Sequence, residues 1–136
     1  MTYDCFLYSG EKEIIQARFD YLNDYVDYFL IVESKITFQG KNSVDIFSHN
    51  DFNVERKKIK HIIISEELML SFDTSRDKEK FLRNSIYTEL LKLSVLADDI
   101  IIISDVDEIP SIDAILNYKD GIVKLKQYFL YFYNNY

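Results

Sequence analysis

A chain of 136 residues is long enough for one domain with a hydrophobic core and too short for two ordinary domains. Hydrophobic residues make up 48% of it, with only three Gly and one Pro, which excludes collagen-like, low-complexity and disordered proteins. The formal net charge of -7 at pH 7 argues against a nucleic acid partner, because binding a phosphate backbone needs a clustered excess of Lys and Arg.

The single cysteine and the amino-terminal segment bear on the cellular compartment. Cys5 lies in an apolar run and has no intrachain partner, so we expect a core thiol in a reducing environment. The amino-terminal segment lacks the basic start and apolar stretch of a secretory signal, and no apolar run approaches the roughly 20 residues of a membrane-spanning helix. We therefore expect a cytoplasmic chain without a membrane span.

The first third of the chain predicts a βαβ unit. An aromatic, apolar strand over residues 3–8 ends at Ser9 and Gly10, and the residues after this break have helical spacing: Ile14, Ile15, Arg18, Phe19 and Leu22. A second, nearly continuous apolar run over 27–34 predicts a strand covered on both faces. Residues 35–53 have no clear period, and we predict a loop containing a short strand or helix.

The middle of the chain predicts a strand, an irregular connection and a long helix. Residues 60–65 are strand-like, and residues 66–75 have no clear pattern. Apolar residues then repeat at steps of four, four and three over 76–96: Leu82, Ile86, Leu90 and Leu93. Thr74 is a suitable residue to cap the start of this helix.

The last third contains the most apolar strand. Four consecutive isoleucines at 100–103 predict a central parallel strand. Pro110 is tolerated in a first helical turn, so we predict a short helix over 111–117. After Gly121 the alternating aromatic pattern predicts a long final strand to residue 136, and an exposed strand of this kind favours a homodimer.

Strands that alternate with helices predict an α/β fold with a mostly parallel sheet, forming a single domain over 1–136. In such sheets ligands bind beyond the carboxyl ends of the strands. Chemistry is therefore expected at four places: Tyr8 to Gly10, Glu33 with Ser34, Ser65, and Asp105 to Glu108.

Carboxylates follow the isoleucine strand directly. Asp105 and Asp107 are two residues apart, so on an extended chain both side chains point to the same side. A hard divalent cation relieves the repulsion between two such carboxylates, and Mg²⁺ or Mn²⁺ fills its other positions with waters and substrate phosphates. An acidic, solvated surface turn is the alternative interpretation.

Polar residues on the long helix and on the second strand form another candidate set. Arg83, with its neighbours Lys80 and Asn84, flanks the buried face of the helix, and its guanidinium could bind a diphosphate through two hydrogen bonds. Glu33 could accept hydrogen bonds from a sugar hydroxyl. The alternative for each of these side chains is an ordinary surface position. His49 and His61 do not have the spacing of metal ligands.

Four blocks of sequence resemble glycosyltransferase family 17, the β-1,4-mannosyl-glycoprotein β-1,4-N-acetylglucosaminyltransferase group. They occur in the family's order and span nearly the whole chain: YDCFLYSGEKEIIQARFDYL, VDYFLIVESKITFQGK, DKEKFLRNSI and DDIIIISDVDEIPS. The resemblance implies a GT-A type, Rossmann-like fold, a UDP-sugar donor such as UDP-N-acetylglucosamine, a divalent metal, a carbohydrate acceptor and inversion at the anomeric carbon.

The resemblance also assigns roles to individual residues. Asp105 and Asp107 match the family's Asp-x-Asp metal motif, and Asp105 would also face the donor. Glu33, Arg83 and Asn84 match motif positions expected to face the donor. Glu108 is the adjacent candidate for the general base, although in GT-A enzymes this carboxylate usually comes from the acceptor half, which we expect to follow residue 136.

Two further interpretations remain open from the sequence. A chain without the acceptor half could be a non-catalytic module that binds a nucleotide sugar. The strand-end motif of Asp105, Asp107 and Glu108 also has some likeness to that of Mg²⁺-dependent phosphatases of the haloacid dehalogenase type. That motif normally opens its domain and has Thr or Val at the position of Ile109.

Overall fold

The computed structural model describes residues 1–42 and 46–127. Its strands are β1 (Thr2–Leu7), β2 (Tyr28–Ser34), β3 (Ile59–Ile64) and β4 (Ile100–Ile103). Its α-helices are α1 (Lys12–Leu22), α2 (Glu66–Leu70), α3 (Ser75–Lys92) and α4 (Ile112–Leu116), with single 3₁₀ turns at His49–Asp51 and Arg56–Lys58. Strands and helices alternate through this part of the chain, as the sequence predicts.

The four strands form one sheet in the order β3-β2-β1-β4. All three pairings are parallel, and in the β1 and β4 pair Cys5 lies opposite Ile103. The expected α/β, Rossmann-like arrangement is therefore confirmed. The chain builds the sheet outward from β1 to β3 and then places β4 on the other side of β1, so the direction of winding reverses between β1 and β4.

The expected central position of β4 is wrong within the described residues. β4 pairs only with β1 there, and Ile103 is 58% exposed. The central strands are β1 and β2, whose residues are almost all buried. A run of β-branched residues favours a strand in any position, so it does not distinguish the centre of a sheet from its edge.

The sheet is covered by helices on both faces. Alternate residues of β1 and β2 point to one face of the sheet and pack with α1 and α4. This cluster includes Phe6, Ile15, Phe19, Phe29, Ile31 and Ile115. The residues between them point to the opposite face and pack with α2 and α3. This second cluster includes Tyr3, Cys5, Leu30, Val32, Met69, Leu82 and Ile86. Cys5 is fully buried, as expected for a core thiol, and burial raises the pKa of its thiol.

The long helix begins where the sequence predicts and ends earlier. The Thr74 side chain accepts a hydrogen bond from the Asp77 N–H, which caps the first turn of α3. The helix ends at Lys92 instead of continuing to residue 96. Ser94 adopts a φ of 55°, and a residue in this left-handed region ends an α-helix.

A short helix, α2, lies in the segment that the sequence predicts to be irregular. The Ser65 hydroxyl accepts a hydrogen bond from the Leu68 N–H, and acidic Glu66 and Glu67 occupy the first turn. Met69 is the buried residue that attaches α2 to the core. One turn of helix is too short for a 3.6-residue period to be visible, but the capping serine followed by two acidic residues was a usable signal.

The carboxyl-terminal part of the chain is only partly described. The short helix predicted over 111–117 is confirmed as α4, and the Ser111 side chain caps it by accepting from the Ala114 N–H. Residues 122–127 form no strand. The rest of the predicted final strand, 128–136, and the homodimer expected from it lie outside the described residues.

No helix within residues 1–42 and 46–127 is long and apolar enough to cross a membrane.

Candidate functional site

A cavity of about 260 Å³ opens at the carboxyl ends of β1 and β4. Its lining comes from the ends of these strands, the first turns of α1, the loop after β2 and one face of α3: Leu7, Ser9, Glu11, Ile14, Phe38, Glu79, Arg83, Asp105, Val106 and Asp107. This is the point where the winding of the sheet reverses, which is the usual ligand position in open α/β sheets. Two of the four predicted strand ends, after β1 and after β4, therefore meet at one cavity.

Three consecutive residues of the acidic loop after β4 border this cavity. Asp105 and Asp107 line it with exposed side chains, whereas the Val106 side chain between them is buried in the core. The loop closes into a turn, because the Glu108 N–H donates to the Asp105 carbonyl at 3.0 Å. The Glu108 carboxylate also accepts a hydrogen bond from the Asp105 N–H, at 3.1 Å. Both aspartates thus face the same cavity from a short, internally bonded loop.

Arg83 reaches the acidic loop from α3. Its Nη2 donates to Asp105 Oδ1 at 2.7 Å, and Nε and Nη2 both donate to Glu79 Oε1. The hydrogen bond to Asp105 is the main reason that the pKa of the Arg83 guanidinium is raised. The side chains of Arg83 and Asp105 remain 42% and 49% exposed, so an incoming ligand can reach both of them.

The carboxylates of this site suit a hard divalent cation that keeps most of its water. No group of three or more His, Cys, Asp or Glu side chains in the described part of the chain could hold a metal ion alone. If a cation binds at this cavity, Asp105 and Asp107 are the carboxylates that could hold it, with water and ligand oxygens at the other positions. This is the usual pattern for Mg²⁺ and for similar ions that prefer oxygen.

Sequence reasoning missed a buried arginine beneath the acidic loop. Arg18 and Asp4 have 0% side-chain exposure and form a two-point ion pair, with Nε to Oδ2 at 2.7 Å and Nη2 to Oδ1 at 2.6 Å. The guanidinium also stacks on the Phe6 ring, 4.7 Å from its centroid. Burial raises the pKa of the Asp4 carboxyl, and the hydrogen bonds and positive charge of Arg18 act in the opposite direction. The signal in the sequence was a charged residue within an apolar pattern, Asp4 in the first strand and Arg18 on the apolar face of the first helix.

Glu33 lies at the carboxyl end of β2 but does not line the cavity. Its carboxylate is 2% exposed and accepts the Phe47 N–H through both oxygens, at 3.2 and 3.1 Å. His61 Nε2 lies 2.8 Å from Glu33 Oε1, and the His49 ring packs against Phe47. Glu33 thus anchors the loop after β2 and holds His61, while His49 is half-buried with its ring against Phe47.

The remaining predicted site residues lie around the cavity without lining it. Lys80 and Asn84 are exposed on α3, on either side of Arg83 along the chain. Glu108 is half-buried, and its carboxylate is engaged with the Asp105 N–H. The structure therefore brings together Arg83, Asp105 and Asp107, and the roles predicted for Lys80, Asn84 and Glu108 stay predictions.

Comparisons with known proteins identify the family. The family model described as glycosyltransferase family 17 matches residues 1–134, which is nearly the whole chain. Searches of curated proteins and of solved structures found no match. The match favours a glycosyltransferase over a phosphatase of the haloacid dehalogenase type. The chain therefore belongs to glycosyltransferase family 17, and its class of activity is the transfer of a sugar from a donor to an acceptor.

Proposed function

We propose that this chain binds a UDP-sugar together with Mn²⁺ or Mg²⁺ at the cavity between β1 and β4, as the donor site of a GT-A type glycosyltransferase. The observation that carries the proposal is the convergence of Asp105, Asp107 and Arg83 on one cavity at the reversal point of the sheet. The two carboxylates would hold the cation. Arg83 would bind the diphosphate, for which a planar guanidinium is suited.

The shape of the cavity supports a donor with a polar and an apolar part. The aspartates and Arg83 lie together, and Leu7, Ile14 and Phe38 contribute apolar lining. Apolar side chains suit the face of a nucleobase or sugar ring, while the cation and arginine suit phosphate oxygens. The volume of about 260 Å³ lies just below the range of roughly 300 to 1,000 Å³ typical of ligand pockets, so part of the donor and the acceptor would extend beyond it.

The proposed reaction is a single displacement at the anomeric carbon, with inversion. The acceptor hydroxyl oxygen forms a bond to that carbon while the bond to the β-phosphate oxygen breaks, and the electron pair leaves with UDP. The hydroxyl proton passes to a general base, for which Glu108 is the predicted candidate among the described residues. A bound cation would lower the energy of the negative charge that develops on the departing diphosphate.

Calorimetry with UDP tests the donor site directly. We expect UDP to bind in the presence of Mn²⁺, and the binding to be lost when EDTA removes the metal. UMP should bind at least about tenfold more weakly than UDP, because it lacks the second phosphate for the cation and Arg83 to share. Equal affinity for UDP with and without metal would overturn the proposal.

Release of UDP from UDP-N-acetylglucosamine separates an enzyme from a module that only binds. We expect release above the background produced by the metal alone, and more of it when an acceptor glycan is added. Metal-dependent binding without any release would favour the non-catalytic nucleotide-sugar module.

Replacing Glu33 with glutamine separates a structural role from a donor contact. Gln has only one oxygen to accept from Phe47 and His61, so we expect the free energy of unfolding to fall by about 1–3 kcal/mol. UDP affinity should stay unchanged. Urea denaturation and calorimetry measure the two effects, with the exposed Glu13→Gln as the control. Weaker UDP binding at unchanged stability would instead make Glu33 a donor contact.

A further inference from the structure

The guanidinium of Arg18 bonds to the backbone of the acidic loop as well as to Asp4. Its Nη1 donates to three carbonyl oxygens, those of Asp105 at 2.9 Å, Val106 at 3.1 Å and Glu108 at 3.3 Å. Its Nη2 also donates to the Ser104 hydroxyl at 2.7 Å. All three nitrogens of this forked side chain donate, and the two hydrogens of Nη1 are shared among the three carbonyl oxygens.

The fold brings these groups together from distant parts of the chain. Asp4 lies on the same face of β1 as Phe6, toward α1, and Arg18 lies on the buried face of α1. Ser104 follows β4, and its N–H donates to the Cys5 carbonyl at 3.3 Å, so the acidic loop starts where the pairing of β1 and β4 ends. The guanidinium therefore occupies the junction of β1, α1 and the loop after β4.

A core ion pair alone would not require this arrangement. A buried arginine needs a carboxylate, which Asp4 supplies, and apolar residues of similar volume often stabilise a core equally well. The additional bonds do something that an apolar residue could not do. They draw the carbonyl groups of the loop inward to one cation, while the Asp105 and Asp107 side chains face the cavity.

We propose that Arg18, held by Asp4, is the positioning residue of the donor site, and that it sets the conformation in which Asp105 and Asp107 face the cavity. The consequence of this positioning role of Arg18 for donor binding rests on the proposed function. Its effect on the loop does not, because the loop conformation can be measured without any ligand.

Arg18→Lys is the decisive variant, since lysine keeps the charge and the apolar stem but lacks the fork. A single ammonium group cannot bond Asp4, Ser104 and the loop carbonyls together. Amide hydrogen exchange followed by NMR reports on the loop, because the Asp105 and Glu108 N–H groups are both hydrogen-bonded within it. We expect these two amides to exchange at least about tenfold faster, as hydrogen bonds to a charged group are lost.

The same experiment distinguishes positioning from a purely structural role. Amides of β2, such as those of Leu30 and Ile31, exchange only when the core opens, whereas loop amides exchange through local opening. A structural role would accelerate the β2 amides and leave Asp105 and Glu108 unchanged, which would overturn the proposal. Arg76→Lys, the same change at an exposed arginine, should alter neither set.

A second variant covers the case in which Arg18→Lys does not fold. Ser104→Ala leaves the ion pair intact and removes one of the bonds between the guanidinium and the loop. We expect the loop amides to exchange about fivefold faster, as for the loss of one ordinary hydrogen bond, with the β2 amides unchanged. Unchanged exchange of the Asp105 amide in this variant would count against the proposal.

Donor binding provides the last measurement. Affinity for UDP in the presence of Mn²⁺ should fall at least about tenfold in Arg18→Lys and remain unchanged in Arg76→Lys. If the unmodified protein binds no UDP, the proposed function fails while hydrogen exchange still decides the role of Arg18. If UDP binds equally well to Arg18→Lys despite faster exchange in the loop, Arg18 does not position the donor site.

Discussion

Replacing Asp105 and Asp107 together with asparagine is expected to abolish metal-dependent binding of UDP. Asparagine keeps the size of each side chain and removes the negative charge that attracts a hard cation. Loss of an outer-shell partner of a metal typically costs about ten- to hundredfold in affinity, so loss of both carboxylates should cost at least about a hundredfold. Calorimetry with UDP and Mn²⁺ measures the effect, and UDP release from the donor should disappear with it.

A matched control separates this effect from a general change in charge. Asp24→Asn with Asp98→Asn removes the same two charges from exposed positions outside the cavity lining. The control should bind UDP like the unmodified protein, and both double variants should unfold at similar urea concentrations. Equal UDP binding by the site variant and the unmodified protein would remove the basis of the proposed donor site.

The position of the cavity that forms the candidate site could be predicted from the sequence, because parallel strands give a strong pattern. Continuous apolar runs predict buried strands, and the carboxyl ends of such strands share one edge of the sheet. Ser9 and Asp105 follow two of these runs, and both line the cavity. The flank of α3 that carries Arg83 was also predictable, because helical periodicity identifies the buried face. Its contact with Asp105 depends on how the helix crosses the sheet.

The support beneath the site could not be predicted in the same way. An arginine on the apolar face of a helix is compatible with a long side chain that reaches water, so spacing alone does not show that Arg18 is buried. Its partners are 14 residues away at Asp4 and 86 to 90 residues away at Ser104 to Glu108. Only the packing of α1 on the sheet brings them together.

Glu33 illustrates the opposite difficulty. A carboxylate at a strand end is as suitable for a sugar hydroxyl as for the backbone of the protein. Its partner Phe47 lies in the segment without any periodic pattern, so the sequence contained no sign of the contact. Glu33 lies at the predicted strand end and bonds to Phe47 in the folded chain, and its predicted contact with a donor stays a prediction.

Replacing Arg83 with glutamine is expected to move two binding constants in opposite directions. Arg83 pairs with Asp105 in the structure, and the proposed function requires Asp105 to bind a cation and Arg83 to bind the diphosphate. Without Arg83, the cation no longer competes with an arginine for Asp105, and a positive charge that repels it is gone. We therefore expect Mn²⁺ alone to bind about two- to fivefold more tightly, the modest gain appropriate to an exposed ion pair.

Affinity for UDP in the presence of Mn²⁺ should fall at least about tenfold in the same variant, because charge-assisted hydrogen bonds to the diphosphate are lost. Electron paramagnetic resonance of free Mn²⁺ measures the first constant and calorimetry the second. Arg76→Gln lies two helical turns earlier on the same exposed helix and should change neither. A damaged fold would lower the affinity for both Mn²⁺ and UDP. Only tighter Mn²⁺ binding together with weaker UDP binding supports an arginine that leaves Asp105 and binds the diphosphate when the metal binds. A fall in both constants, or no change in UDP affinity, would mean that Arg83 does not bind the diphosphate.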